Sequence, residues 1–105
     1  MDEIQTHITE LIGRIIEAVH PLRIILFGSA ARGEMTPDSD IDVLVVMPEG
    51  SHRLHTAQDI YQKLFGIGIS VDIVVATPQD LDNYKDNIGL IYKNILEEGR
   101  ELYAA

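Results

Sequence analysis

The chain of 105 residues has no cysteine, so it can build neither a disulfide framework nor a thiolate metal site. Basic residues are scarce: eight Lys and Arg stand against 17 Asp and Glu, for a net charge of −9. Nucleic-acid binding is driven largely by neutralising phosphates with Lys and Arg. No K/R-rich run is present, so an autonomous DNA or RNA binder is not expected. Long hydrophobic runs are missing too; the apolar stretches are strand-sized, against the ~20 residues a membrane helix needs. The opening MDEIQTHITE has neither the basic nor the apolar region of a signal peptide. These absences lead to the expectation of a soluble, cytoplasmic protein that touches no membrane.

What is present suffices for one core. At 46% hydrophobic residues, the chain reads as a single domain over 1–105. Ile4, Ile8, Leu11, Ile12, Ile15, Ile16 and Val19 recur at helical spacing, which predicts an amphipathic helix ending before Pro21. Leu22 to Phe27 reads as a strand stopped by Gly28, followed by a tight turn, one helical turn from Ser29 and a loop through Pro37. Asp40 to Met47 is a second strand, closed by Pro48 and Gly50. Ser51 to Phe65 reads as a helix with Leu54, Ile60, Tyr61, Leu64 and Phe65 on one side, and Gly68 to Ala76 as a third strand. Thr77, Pro78 and Asp80 look like an N-cap, a first-turn proline and an acidic first turn. A helix should run from there to about Glu98, broken near Asp86 to Gly89 and stopped at Gly99, with a short edge strand over Glu101 to Tyr103. The expected class is α/β (α+β), a small mixed sheet with helices packed on it.

Against that frame the carboxylates are anomalous. Strands buried in such sheets are nearly continuous apolar runs, yet the second begins Asp40-Ile41-Asp42. Residues two apart share a strand face, so Asp40 and Asp42 should stand side by side, with Leu44 and Val46 continuing that face into the core. Two carboxylates this close resist joint ionisation unless a cation sits between them. Mg²⁺, which takes one or two carboxylates plus phosphates and waters, meets that need. Asp72 interrupts the third strand in the same way, with no basic residue within eight positions. If the two strands are neighbours, Asp72 becomes a third ligand. Upstream, Gly28-Ser29 ends a strand and opens a helical turn, where a glycine allows close backbone approach and free N–H groups can meet an anion. Ser29 could add its hydroxyl and Arg32 a positive charge. His7, His20, His52 and His55 have no metal-ligand spacing and read as surface or capping residues.

The stretch from Gly28-Ser29 to Asp40-Ile41-Asp42 resembles the G-S-x10-D-x-D signature of the DNA polymerase β-like nucleotidyltransferase superfamily. More narrowly it is similar to the minimal nucleotidyltransferases, the antitoxin half of HEPN/MNT toxin–antitoxin pairs. The LFG before the motif, the VLVV after it, Asp72 in a later strand and the closing ILEEGRELY extend the resemblance over nearly the whole chain. This chain departs in carrying Ala30 where many members have Arg, which implies a looser hold on the triphosphate.

The resemblance implies that Gly28 and Ser29 contact the nucleotide phosphates; Arg32 and Ser39 are further candidate nucleotide-binding residues. It implies that Asp40 and Asp42 hold two Mg²⁺ ions, for which Mn²⁺ can substitute. Asp72 would complete the second site and help deprotonate the acceptor. The implied reaction is transfer of AMP from ATP, or a nucleotidyl group from another NTP, to a hydroxyl. The implied acceptor is a tyrosine of a HEPN-type toxin, with which the chain could form an oligomer. A small-molecule nucleotidyltransferase and a non-catalytic toxin-binding antitoxin are the alternatives. The full set of carboxylates favours catalysis, and the lack of room for an acceptor-binding domain favours a protein acceptor.

Overall fold

The computed structural model describes residues 3–34, 39–84 and 91–105. Helix α1 (Glu3–Val19) leads into strand β1 (Arg23–Phe27) and the short helix α2 (Gly28–Ala31). Strand β2 (Ile41–Val46), helix α3 (Arg53–Lys63) and strand β3 (Val71–Ala76) follow. Helices α4 (Pro78–Tyr84) and α5 (Ile91–Glu98) and strand β4 (Arg100–Ala104) close the chain. The four strands form one mixed sheet in the order β3-β2-β1-β4. β2 runs antiparallel to β1 and parallel to β3, and β4 pairs antiparallel with β1. Among the described residues, no helix is long and apolar enough to cross a membrane.

Alternation along the strands sends side chains into two cores, one on each face. Ile8, Leu11 and Ile15 of α1 and Ile60 of α3 pack with Ile24, Leu26, Ile41, Val43 and Val45 on the first face. Leu81 of α4 and Ile95 of α5 cover Ile25, Leu44, Val46 and Ala76 on the other. Covered on both faces, β2 has an almost wholly apolar, buried sequence after Asp42.

Local signals explain where elements stop. His20 sits at φ 51°, its N–H bonded 3.1 Å to the carbonyl of Ile16, and so closes α1 just before Pro21. Thr77 and Asp80 form a reciprocal cap: Thr77 N–H donates to Asp80 Oδ2 (3.0 Å), and Asp80 N–H to Thr77 Oγ1 (3.3 Å). Arg53 Nε reaches the same Asp80 carboxylate at 2.9 Å, tying the start of α3 to the start of α4. His52 caps α3, its Nδ1 accepting from His55 N–H at 3.2 Å. Gly99 ends α5 where a Cβ would collide with Ile95 O and Ile25 Cγ2.

Several boundaries move inward from the sequence reading. β1 starts at Arg23, β2 at Ile41 and β3 at Val71, the first residue of each that stands in register opposite a residue of its neighbour. The edge strand is longer than expected, Arg100–Ala104. The expected break between Asp86 and Gly89, and the part of the loop around Pro37, lie outside the described residues. One expectation about α3 fails. Ile60 and Leu64 are buried, but Leu54, Tyr61 and Phe65 are 61%, 46% and 90% exposed. At 100° per residue, Leu54 and Tyr61 lie well round from the Thr56–Ile60 line that meets the sheet; Phe65 falls in the turn beyond the helix.

Candidate active site

The unusual carboxylates gather at one end of the sheet. In the parallel pairing of β2 with β3, Asp42 stands directly opposite Asp72. Neighbouring strands lie about 4.8 Å apart, so the two carboxyl groups are adjacent on the face that also carries Leu44 and Val46. Asp40 precedes the first paired residue of β2 and is exposed, rather than lying in the strand itself. On the other flank of β2, Phe27 of β1 pairs with Asp42, which brings the following residue, Gly28, against the Asp42 side chain.

That contact explains the glycine. Gly28 has φ +71°, a left-handed conformation that L side chains rarely adopt, and a Cβ there would collide with Asp42 Oδ2. Helix α2 begins at this residue, and no side chain caps it. The turn closes on itself through Arg32 N–H to Gly28 O (3.2 Å) and Glu34 N–H to Ser29 O (2.9 Å). Gly28 is therefore held beside Asp42, and it and Ser29, the next residue of the same turn, are half-buried.

Electrostatics mark Asp42 as the strained member. Its carboxyl is held above the ordinary value of 3.8, first by partial burial, then by the negative fields of Asp72 and Asp40, and by a hydrogen bond with Asp72. Arg32 acts in the opposite sense but does not cancel these effects. The Arg32 side chain is itself shared, with Nε 3.0 Å from Glu34 Oε1 and Nη1 3.6 Å from Glu98 Oε2 of α5. Glu34 and Glu98 were not singled out from the sequence; the stretch around Glu98 was read as a helix end and as part of the closing ILEEGRELY of the resemblance. Ser39 is half-buried immediately before Asp40. Among the described residues, no three His, Cys, Asp or Glu side chains close into a ready-made metal cage.

The donor set nonetheless suits a hard divalent cation. It consists of carboxylate oxygens carrying more negative charge than the site relieves, next to a turn kept clear by the absence of a Cβ.

Comparison with known proteins gives a consistent result. The sequence profile described as "Nucleotidyltransferase domain" matches residues 8–102. A Methanocaldococcus jannaschii protein whose name proposes a protein adenylyltransferase activity is 42% identical over 82 residues, which cover 77% of this chain and 77% of that protein. Among solved structures, a Sulfolobus solfataricus protein whose name proposes a nucleotidyltransferase superposes with a TM-score of 0.64 at 20% identity, covering 94% of this chain and 78% of the other. A toxin–antitoxin structure with AMP-PNP superposes with a TM-score of 0.58 at 23% identity, covering 95% and 73%. At these identities the two structures establish the shared fold.

Proposed function

This chain belongs to the nucleotidyltransferase domain family, and we propose that it is a Mg²⁺-dependent protein adenylyltransferase. The observation that carries the reading is the pairing of Asp42 with Asp72 beside Gly28, which puts two acidic side chains and an uncapped turn within one small surface. The Methanocaldococcus jannaschii relative, named for protein adenylylation, supports a protein as acceptor and ATP as donor. The toxin–antitoxin structure with AMP-PNP supports a toxin, of the HEPN type by the sequence resemblance, as the partner.

Asp40, Asp42 and Asp72 would hold two Mg²⁺ ions, or Mn²⁺ in their place. When bound, the cations supply charge neutralisation for the triphosphate and for the oxygens that gain charge during transfer. Gly28 and Ser29 present N–H groups and a hydroxyl to the phosphates, with Ser39 nearby and Arg32 entering once it leaves Glu34 and Glu98. The acceptor, a tyrosine hydroxyl, gives its proton to the Asp72 carboxylate as its oxygen bonds to the α-phosphorus. The bond from that phosphorus to the bridging oxygen breaks, and pyrophosphate leaves with the electron pair. The protein mostly positions reactants and balances charge.

The test is labelled ATP, Mg²⁺ and the product of the adjacent gene. Label should pass to that protein from wild type and not from Asp40→Asn, Asp42→Asn or Asp72→Asn. Ser29→Ala should be milder, since one hydrogen bond to a charged group is worth roughly 1.5–3 kcal/mol. If Asp72→Asn labels at the wild-type rate, the role given to Asp72 is wrong. Two wild-type proteins that associate without any transfer would make the chain a binding-only antitoxin.

A further inference from the structure

Arg32 is the only Lys or Arg between Arg23, at the far end of β1, and Arg53, at the start of α3. It follows α2, and its positive field reaches Asp42. Two carboxylates hold it. Nε lies 3.0 Å from Oε1 of Glu34, which belongs to the same turn, and Nη1 lies 3.6 Å from Oε2 of Glu98, the last residue of α5.

Glu34 travels with the turn, through its N–H bond to Ser29 O. Glu98 comes from a different element, so tertiary packing decides where it stands. β4 begins at Arg100, opposite Leu26, and runs antiparallel to β1. The residues just before Arg100 are therefore level with the end of β1, where Gly28 meets Asp42. Gly99 fixes the approach: its N–H bonds to Ile95 O at 2.8 Å, and a Cβ there would collide with Ile95 O and Ile25 Cγ2. The chain at this point is packed hard against β1, while the Glu98 side chain stays 57% exposed.

Local structure does not ask for a carboxylate here. Glu97 and Glu98 end α5, where the helix dipole disfavours negative charge, and the last turn carries no basic residue. An ion pair between two exposed side chains adds little to stability. What the pair does is occupy part of the donor edge of the guanidinium beside the carboxylate site. A phosphate can take such donors as charge-assisted bonds to one planar fork, which makes it a strong rival for them.

We propose that Glu98 is a positioning residue that competes with the nucleotide's phosphates for Arg32 and so sets how tightly the site holds a triphosphate. This rests on the reading of the site as one for a Mg-nucleotide, and it adds a residue outside the Gly28–Asp42 motif. The phosphates must draw Arg32 off Glu98 before they can use it. Affinity is thereby reduced by the share of molecules in which the pair is closed.

The test is the dissociation constant of the full chain for α,β-methylene-ATP with Mg²⁺, measured by calorimetry. Wild type, Glu98→Gln, Arg32→Gln and the double variant are compared. The analogue cannot be split at the bond the transfer reaction breaks, so binding is read without an acceptor. Glu98→Gln should bind about two- to fivefold tighter, the range set by an exposed ion pair. Its melting temperature should be no lower than that of wild type. In the Arg32→Gln background the gain should largely disappear, because the two side chains act as a coupled pair. Equal or weaker binding by Glu98→Gln would overturn the proposal, as would the same gain in both backgrounds or no binding by any variant. If the Arg32-dependent gain appears and no protein is labelled, the protein-acceptor reading fails alone. If a protein is labelled and Glu98→Gln binds the analogue like wild type, the role given to Glu98 fails alone.

Discussion

Replacing Gly28 by alanine should separate backbone strain from damage to the carboxylate pair, because Gly33 provides a matched control. Both glycines have nearly the same dihedral, φ +71° and φ +72°, but a Cβ on Gly28 meets Asp42 Oδ2 whereas one on Gly33 meets nothing within 4 Å. Forcing an L-residue into the left-handed region costs about 1–2 kcal/mol. For a domain of this size that lowers Tm by roughly 4–16 °C. Both variants should pay this cost, Gly28→Ala somewhat more. Function should divide them. In Gly28→Ala the Asp42 carboxylate must move out of its place opposite Asp72, and a displacement of that size can reduce turnover about 100-fold. Gly33→Ala should retain near wild-type transfer. The assay is transfer of labelled AMP at a temperature where both variants are folded, alongside the Mg²⁺-dependent rise in Tm, which Gly28→Ala should largely lose. Equal transfer and equal Mg²⁺ response in the two variants would refute the reasoning, since only at Gly28 does the added Cβ meet Asp42.

Asp42 also sets a pH dependence. Its carboxyl is raised above 3.8, so the folded chain holds this proton more tightly than the unfolded one. The group therefore subtracts stability as pH climbs from 3.8 through its folded value. Without divalent cation, Asp42→Asn should be more stable than wild type at neutral pH and flatter across that window in thermal melts; a less stable variant would contradict this. Asp80 has the opposite sign. Its carboxyl is lowered, chiefly by the hydrogen bond from Arg53, so its contribution is present above 3.8 and is lost as pH falls through its depressed value. Arg53→Met should shift acid unfolding to higher pH, as followed by circular dichroism. Thr77→Ala should cost about 1 kcal/mol by removing the cap of α4, read from denaturant midpoints, without affecting transfer. Leu44→Ala removes a fully buried side chain beneath Asp42 and should cost about 2–5 kcal/mol, weakening Mg²⁺ stabilisation as well.

Much of the molecule was legible in advance because the signals are local. The period of the apolar residues in α1, the β-branched runs of the strands and the Thr77-Pro78-Asp80 cap all act within one turn or one strand. The reading of α3 failed where local pattern ceases to decide. Leu54, Tyr61 and Phe65 are hydrophobic, but the sheet covers only the line through Thr56 and Ile60. The pairing of Arg32 with Glu98 was equally out of reach. It joins the turn after β1 to the end of α5, two segments far apart in sequence.

The sequence by itself determined the elements, the acidity and the chemical types available, because propensity, alternation and charge belong to individual residues and their near neighbours. It also carried the motif from Gly28 to Asp42, whose resemblance to the nucleotidyltransferase signature implied nucleotidyl transfer. Only the tertiary structure decided that β2 and β3 run parallel and in the register that sets Asp42 against Asp72. A slip of one residue would have turned Asp72 to the opposite face of the sheet. The reason Gly28 must be glycine was decided there too, since the atom that excludes a side chain belongs to a carboxylate fourteen residues away. Register and close approach are set by the packing of both sheet faces at once, and no single segment contains that information.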